Sequence, residues 1–200
     1  VLPLVRDALS RRMAKSLDLA MLAGQGTVAT TPIKGLLAHD PAGGTPNVTI
    51  SGTAPLKLKV VDIMAARKAM GAWGLNPSEL IVFVTTQGYY ELLEDSNFLT
   101  VDKVGDRATI LTGQIGSIGN TPVVVSASFP AITGASGEPT AVIFNPRNFL
   151  AGQHRGMRLD SDDFVVEQRS VLVASMRIGM TILSENFTTD GYSAVAVRYP

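Results

Sequence analysis

PLVRDALSRRMAKSLDLAMLAGQG, residues 3–26, carries a helical period that ends on two glycines. Val5, Leu9, Met13, Leu17 and Ala20 recur on one face, while Arg11, Lys15 and Asp18 lie off it. Pro3 suits a first helical turn, where its missing N–H costs nothing. Asp7 and Arg11 are spaced for an ion pair one turn apart, and Gly24 and Gly26 stop the helix. About 21 residues at the α-helical rise make a rod of about 30 Å. Working outward, residues 27–54 are rich in Thr, Pro, Gly and Ala and read as a loop with one short strand around Val48 to Ile50. A second helix is predicted from Pro55 to about Met70, with Leu56, Val60, Ile63 and Met64 inward, ended by Gly71, Gly74 and Asn76-Pro77. Leu80 to Val84 is a continuous apolar run of strand length, the mark of a strand buried on both faces. Thr85 or Thr86 then caps a short helix carrying Tyr89, Leu92 and Leu93.

Beyond Asp95 the texture changes to short strands and turns. Ala108 to Leu111, Pro122 to Ser128 and Thr140 to Phe144 are predicted strands between glycine-rich stretches. Phe164 to Leu183 reads as extended, with Val171, Val173 and Ser175 alternating against Leu172, Ala174 and Met176. Asp190-Gly191 is a tight-turn pair leading into a last strand, Ala194 to Tyr199. Helices early and strands late give an α+β fold class.

The whole chain is 200 residues, enough for one sizeable domain or two small ones folded together. At this length about 70% of the unfolded surface is buried on folding, so no metal or disulfide is needed for stability. There are no cysteines, which excludes a disulfide framework, a cysteine nucleophile and a sulfur-ligated zinc site. Lys and Arg total 17, as do Asp and Glu, so the net charge is zero and a dedicated nucleic-acid groove is not indicated. No apolar run approaches the ~20 residues of a membrane helix, and no stretch has the pattern of a signal peptide. The chain opens on Val1 in place of Met, as a processed or truncated product would. With 46% hydrophobic and 17% charged residues, the composition is that of a protein whose surface meets other proteins.

The chemistry-bearing residues give only bland readings. His39 and His154 stand in loop-like contexts without a second ligand at metal spacing, and read as surface residues. Gly24-Gln25-Gly26-Thr27-Val28-Ala29 has the glycine spacing of a dinucleotide fingerprint, but follows a helix where the mechanism needs a helix to follow it. Gly113, Gly116 and Gly119 surround Ser117, yet Ile115 occupies the glycine position a nucleophile elbow requires. Asp160, Asp162 and Asp163 lack the spacing of a calcium loop and read as a solvated turn. Arg147, Arg155, Arg158 and Arg169 interleave with these acids, suited to ion pairs within or between subunits. Asn47-Val48-Thr49 and Asn186-Phe187-Thr188 match glycosylation triplets, which are common by chance. On residues alone the chain is a soluble α+β protein with interaction surfaces.

The order of these features resembles the major capsid proteins of tailed bacteriophages, of the Hong Kong 97-like fold. In that family a long spine helix ends in a similar glycine pair and runs on to a turn like Pro32-Ile33-Lys34-Gly35-Leu36-Leu37. Trp73-Gly74-Leu75-Asn76-Pro77 before the Leu80 to Val84 strand looks like the family's asparagine-bearing turn. Gly119-Asn120-Thr121-Pro122-Val123-Val124 is similar to its glycine-x-proline-valine strand, and Phe129-Pro130 to the step after it. Ala141 to Phe144 followed by Asn145 to Phe149, and Phe164 through Arg177-Ile178-Gly179 to Phe187, resemble its later strands. The likeness covers nearly the whole chain, and its force lies in the order of motifs that are individually weak.

The resemblance implies a shell subunit, not an enzyme, with no cofactor, no metal and no catalytic residue. It implies a peripheral domain from residues 1–30 (the spine helix) and 154–177, and an axial domain from 31–153 and 178–200. The subunit's partners would be itself, as hexamers and pentamers, and packaged double-stranded DNA held without sequence-specific contacts; scaffolding, portal and decoration proteins are further candidates, and no membrane is implied. Its place would be the virion, after assembly in the host bacterial cytoplasm. The family's N-terminal arm and extended loop precede the spine helix, where this chain starts. Some members cross-link through a lysine on that loop, an asparagine and a glutamate. Aligning Arg177 puts Gln168 at the asparagine position and Ser175 at the glutamate position, and aligning Arg169 puts Asp160 and Glu167 there, so neither register restores the set. Two other readings are an encapsulin-type nanocompartment shell and, in a different class, a serine-type hydrolase using Ser117 with His154. A ligand-binding module with an apolar pocket is a third.

Overall fold

The computed structural model describes residues 2–27, 31–38, 47–52, 56–95, 116–130, 136–164, 166–183 and 191–200. Helix α1 (Leu2–Ala23) leads into a small hairpin of β1 (Gln25–Thr27) and β2 (Thr31–Lys34). Then follow β3 (Asn47–Thr49), α2 (Val60–Ala69), β4 (Ile81–Val84), α3 (Thr86–Leu93), β5 (Ser117–Ile118) and β6 (Thr121–Val125). The chain continues through β7 (Pro139–Phe144), β8 (Phe149–Phe164), β9 (Arg169–Ile182) and β10 (Ala194–Arg198). Six strands make one mixed sheet in the order β3-β10-β7-β4-β6-β5, while β8 and β9 form a separate antiparallel ribbon.

The six-stranded sheet is covered on both sides, which is why its central strands read as unbroken apolar runs. Val82, Val84, Ala141, Ile143, Val195 and Val197 point to a core shared with Ile63 and Ala66 of α2, Met70 just after it, and Leu92 of α3. The alternate residues Val142, Phe144, Ala194 and Ala196 pack with Leu22, Leu36 and Leu37, with Ile81 and Phe83 partly buried beside them. Fully burying such a side chain stabilises by about 1.5–3 kcal/mol. Between β5 and β6, Gly119 and Asn120 both take positive φ, 54° and 65°, as a two-residue hairpin turn requires.

Helix α2 starts at Val60, not near Pro55, and the reason lies largely in residues distant in sequence. Three consecutive amides ahead of its first turn are taken by carboxylates: Leu58 N–H donates to Glu91 at 2.8 Å, Lys59 N–H to Asp62 at 3.0 Å, and Val60 N–H to Asp95 at 2.9 Å. These acceptors satisfy donors that a helix N-terminus leaves unpaired, and negative charge there is favoured by the helix dipole. Asp62 is itself buried and also accepts the amide and hydroxyl of Ser51, at 3.0 and 2.6 Å. Of the residues expected inward on this helix, Met64 is instead exposed.

The end of α1 is fixed to the sheet by backbone approach. The Gly24 carbonyl accepts the Gly35 amide at 2.8 Å. A Cβ on Gly24 would collide with the carbonyls of Ile33 and Ala20, and one on Gly35 would lie 2.5 Å from the Gly24 nitrogen. The glycines that stop the helix therefore also let two chain segments touch. The strand expected at Ala108 to Leu111, the residues His39 and Asn186, and Asp190 of the expected tight turn lie outside the described residues.

Candidate assembly surface

The rest of α1 and the β8–β9 ribbon present a surface that the chain itself leaves half covered. Leu9, Met13, Leu17 and Ala20 are partly buried as the periodicity predicts, but Val5 is exposed and Leu22 alone is fully buried. The helix lies alongside β9, and an open groove of about 510 Å³ runs between them, floored by Met13, Leu17, Ala20, Ile33, Met176 and Ile178. The alternation read in the sequence holds in part: Leu172, Ala174, Met176, Ile178, Met180 and Ile182 are half-buried and Val173, Arg177, Gly179 and Thr181 exposed, but Val171 and Ser175, set on the opposite side from Leu172 and Ala174, are half-buried too.

β8 is 16 residues long and almost wholly exposed, with only Phe149 and Leu159 partly covered. Paired end to end with the 14-residue β9 (Arg169–Ile182), it reaches about 43 Å at a strand's rise of about 3.3 Å per residue. It pairs with β9 from Phe149↔Ile182 to Phe164↔Arg169, with register irregularities between Gln153 and Arg155 and between Arg155 and Arg158. His154 therefore sits at a bulge inside a strand, not in a loop. Asp160, Asp162 and Asp163 likewise belong to the strand and not to a turn. By the pairing register Asp160 and Asp162 share the face away from α1, while Asp163 shares the other with Ser170. Among the described residues no three His, Asp or Glu side chains are grouped to hold a metal ion.

Two of the four arginines, Arg147 and Arg158, form ion pairs. Arg158 bonds Asp160 at 2.8 Å and Arg147 bonds Glu79 at 2.7 Å. The Arg158–Asp160 pair is exposed on both sides and contributes about 0–1 kcal/mol, while Glu79 in the other pair is partly buried. Arg155 stands directly across from Arg177. Large apolar side chains also face outward here, among them Leu150, Met157, Phe164, Val166 and Val173.

The other candidates disperse. Ser117 lies in β5 at the edge of the six-stranded sheet and His154 in the ribbon, with no hydrogen bond between them among the described residues. Asn47, of the first glycosylation triplet, accepts the Arg198 guanidinium at 2.6 Å across paired strands. Ser175 lies across from Arg158, while Glu167 and Gln168 occupy the ribbon's turn, so the residues weighed for cross-linking do not converge. A smaller open hollow of about 230 Å³ follows the ends of β4 and β6, lined by Thr85, Thr86, Gln87, Ser126, Phe129 and Pro130. Thr85 there is committed to capping α3, accepting the Gly88 amide at 2.9 Å. What the sequence reading missed is β8; the strand signal in β9, whose apolar side needs a partner, pointed to it.

Known proteins share this sequence and fold. The phage capsid family's sequence profile matches residues 1–187. The chain is 29% identical over 196 residues, 98% of its length, to the major capsid protein of Escherichia phage T5, of which it covers 42%. Its fold matches the capsid of an empty GTA particle with a TM-score of 0.70 at 14% identity, over all of this chain and 66% of that one. It also matches a Mycobacterium phage Che8 structure, TM-score 0.69 at 15% identity, over 98% of this chain and 63% of that one. The chain thus spans less than half the T5 protein and about two-thirds of the solved chains.

Proposed function

The chain belongs to the phage capsid family, and from that premise we propose that it builds the shell of a tailed phage or prophage head. It acts by assembly and not by turnover, as hexamers and pentamers of itself enclosing double-stranded DNA in the virion. The observation that carries this is the contrast in burial: a complete two-faced core in the sheet, and a long helix and ribbon left half covered by their own chain. Surfaces of that kind become stable when copies cover one another, with many modest contacts repeated by symmetry.

On this reading residues 1–30 and 154–177 form the peripheral domain, and residues 31–153 and 178–200 the axial domain. Met13, Leu17 and Ala20 of α1 face Met176 of β9 across the groove, which supports grouping these two segments. Neutral overall charge suits close packing of like subunits around DNA held by confinement. Scaffolding, portal and decoration proteins would meet the assembled shell, and assembly would take place in the host bacterial cytoplasm.

Electron microscopy of particles made from the complete native reading frame tests the proposal. Closed icosahedral shells are the expected result. A protein that stays monomeric at all concentrations, from the complete frame and from this chain alike, would overturn it.

A further inference from the structure

Arg155 and Arg177 meet across the β8–β9 ribbon only because the ribbon is irregular there. Regular pairing carried on from Gln153↔Ile178 would set His154 against Arg177. Carried back from Arg158↔Ser175, it would set Gly156 there. Instead β8 takes an extra residue on each side of Arg155, and the two bulges bring the arginines into one row. Bulges re-aim side chains and are over-represented beside functional sites. The outcome does not help the ribbon itself, since like charges directly opposite disfavour strand pairing.

The surroundings leave this pair of charges unneutralised and open to a ligand. Both arginines are exposed, and neither side chain has a hydrogen bond or ion pair among the described residues. The adjacent guanidinium, Arg158, is already held by Asp160 at 2.8 Å, so that carboxylate is engaged elsewhere. One row toward the body, Gly152 lies across from Gly179, and a Cβ on either would meet nothing within 4 Å. Mid-strand glycines often mark the close approach of a ligand to bare backbone. One row toward the tip, Ser175 shares the face of Arg177, and its hydroxyl has no hydrogen bond among the described residues.

We propose that Arg155 and Arg177 together bind a phosphate group, seated over the bare Gly152–Gly179 row and bordered by Ser175. Side chains directly opposite start about 5 Å apart at Cβ, and each guanidinium offers parallel N–H donors to an oxyanion. A phosphate monoanion or dianion presents at least three acceptor oxygens, enough for both forks at once. A single carboxylate is filled by one guanidinium and leaves the other unpaired. The phosphate is either free or part of a nucleic-acid backbone, which carries one charge on each phosphate. The site lies within one ribbon and needs no second copy of the chain.

Titration of the unaltered chain with inorganic phosphate at constant ionic strength tests it. The melting temperature should rise by about 2–4 °C and level off, as binding to the folded form requires. The phosphorus NMR line of the anion should broaden in parallel. Arg155→Gln and Arg177→Gln should each raise the half-effect concentration at least about tenfold, the worth of one charged hydrogen bond. In phosphate-free buffer both should melt no lower than the unaltered chain, because the repulsion is gone. Gly179→Leu, which fills the bare row and leaves both charges in place, should weaken binding by a similar factor. Lys68→Gln, which removes an exposed charge on α2, should keep the half-effect concentration within about twofold. Exclusion of phosphate from protein surfaces raises every melting temperature alike and does not level off, so the variants separate it from binding.

A short DNA duplex, followed by fluorescence anisotropy at the same ionic strength, distinguishes the two sources. Duplex binding that both arginine variants weaken at least about tenfold, and that inorganic phosphate displaces, assigns the phosphate to a nucleic-acid backbone. A response to inorganic phosphate without duplex binding assigns it to a free anion. No saturable response to either probe would overturn the proposal, and so would a response that the arginine variants retain. Self-association that depends on both arginines and ignores phosphate would also overturn it, because a carboxylate of a second copy would then be the partner.

Discussion

β7 and β8 are separated by only the turn at 145–148, yet they live in opposite environments. Every residue of Pro139–Phe144 is buried, whereas only Phe149 and Leu159 of Phe149–Phe164 are even partly covered. β7 pairs with β4 and β10 and is packed on both faces; β8 pairs with β9 alone. The same backbone hydrogen-bonding pattern thus serves a core in one place and an interface in the other. What separates them is side-chain content: Ala141-Val142-Ile143-Phe144 can bury everything, while Gln153-His154-Arg155 and Asp160 through Asp163 hold their strand in water.

The largest effect that could break this comparison is a truncation made once in each region. Ile143→Ala should cost about 2–5 kcal/mol, because a fully packed site relaxes little around the cavity. Leu150→Ala, at a side chain 54% exposed, should stay within about 0.5 kcal/mol. Urea unfolding of both variants reads the difference. Similar losses would mean that β8 is packed in the free chain, and the contrast would fail.

Glycine offers the same test one step smaller. Gly24→Ala drives a methyl into the carbonyls of Ile33 and Ala20 and should cost at least about 1–3 kcal/mol, loosening α1 from the sheet. Gly179→Ala meets no atom within 4 Å and should be neutral or stabilising by about 0.5 kcal/mol. Thermal melts of the two variants moving in the same direction would show that the ribbon glycine has a use inside its own chain.

The sequence made the buried region far more legible than the exposed one, for the same physical reason. α1, β4, α3, β7 and β10 were all readable because burial imposes either a helical period or an unbroken apolar run. The start of α2 was not, since it depends on Glu91 and Asp95, more than 30 residues away, taking the Leu58 and Val60 amides. β8 was read as loops and ion pairs because Gly152, His154, Gly156 and three aspartates carry little strand propensity; β9 supplies its pairing. Once β8 is known to be a strand, plain alternation puts Asp160 and Asp162 on one face, but which face that is could not be read, since two register shifts precede Asp160. The capsid resemblance survived these errors because it rested on the order of motifs such as Gly24 through Leu37 and Gly119 through Val124, most of them in or beside the core.

A third substitution sharpens the comparison at a buried charge. Asp62→Ala leaves the Ser51 and Lys59 amides without their acceptor in a site that is 1% exposed, and should cost about 1–3 kcal/mol. Hydrogen exchange at those two amides should accelerate by more than that at any amide of the ribbon. Asp160→Ala, which breaks only an exposed pair with Arg158, should cost less than about 1 kcal/mol. Equal costs at the two aspartates would show that the ribbon's charges are structural in the free chain.

The smallest effect is a pH dependence that only the buried region should show. The Tyr199 hydroxyl donates to Glu91 at 3.0 Å, and Gln87 donates to the same carboxylate oxygen at 3.0 Å. Burial, and then the Glu91 carboxylate, push the Tyr199 hydroxyl well above its ordinary value of 10. The folded protein therefore holds this proton more tightly than the unfolded chain does. By linkage, the stabilisation is fully present below pH 10 and is lost as pH rises through the alkaline range toward the raised value. Tyr199→Phe should lower stability at neutral pH by about 1 kcal/mol, the worth of one net hydrogen bond, and should flatten the decline above pH 10. Stability measured by urea unfolding from pH 7 to 11 decides it: parallel curves for the two proteins would show that Tyr199 ionises as freely in the fold as outside it. The ribbon holds no tyrosine, so Asp160→Ala, which removes only an exposed charge there, should keep the unaltered alkaline profile.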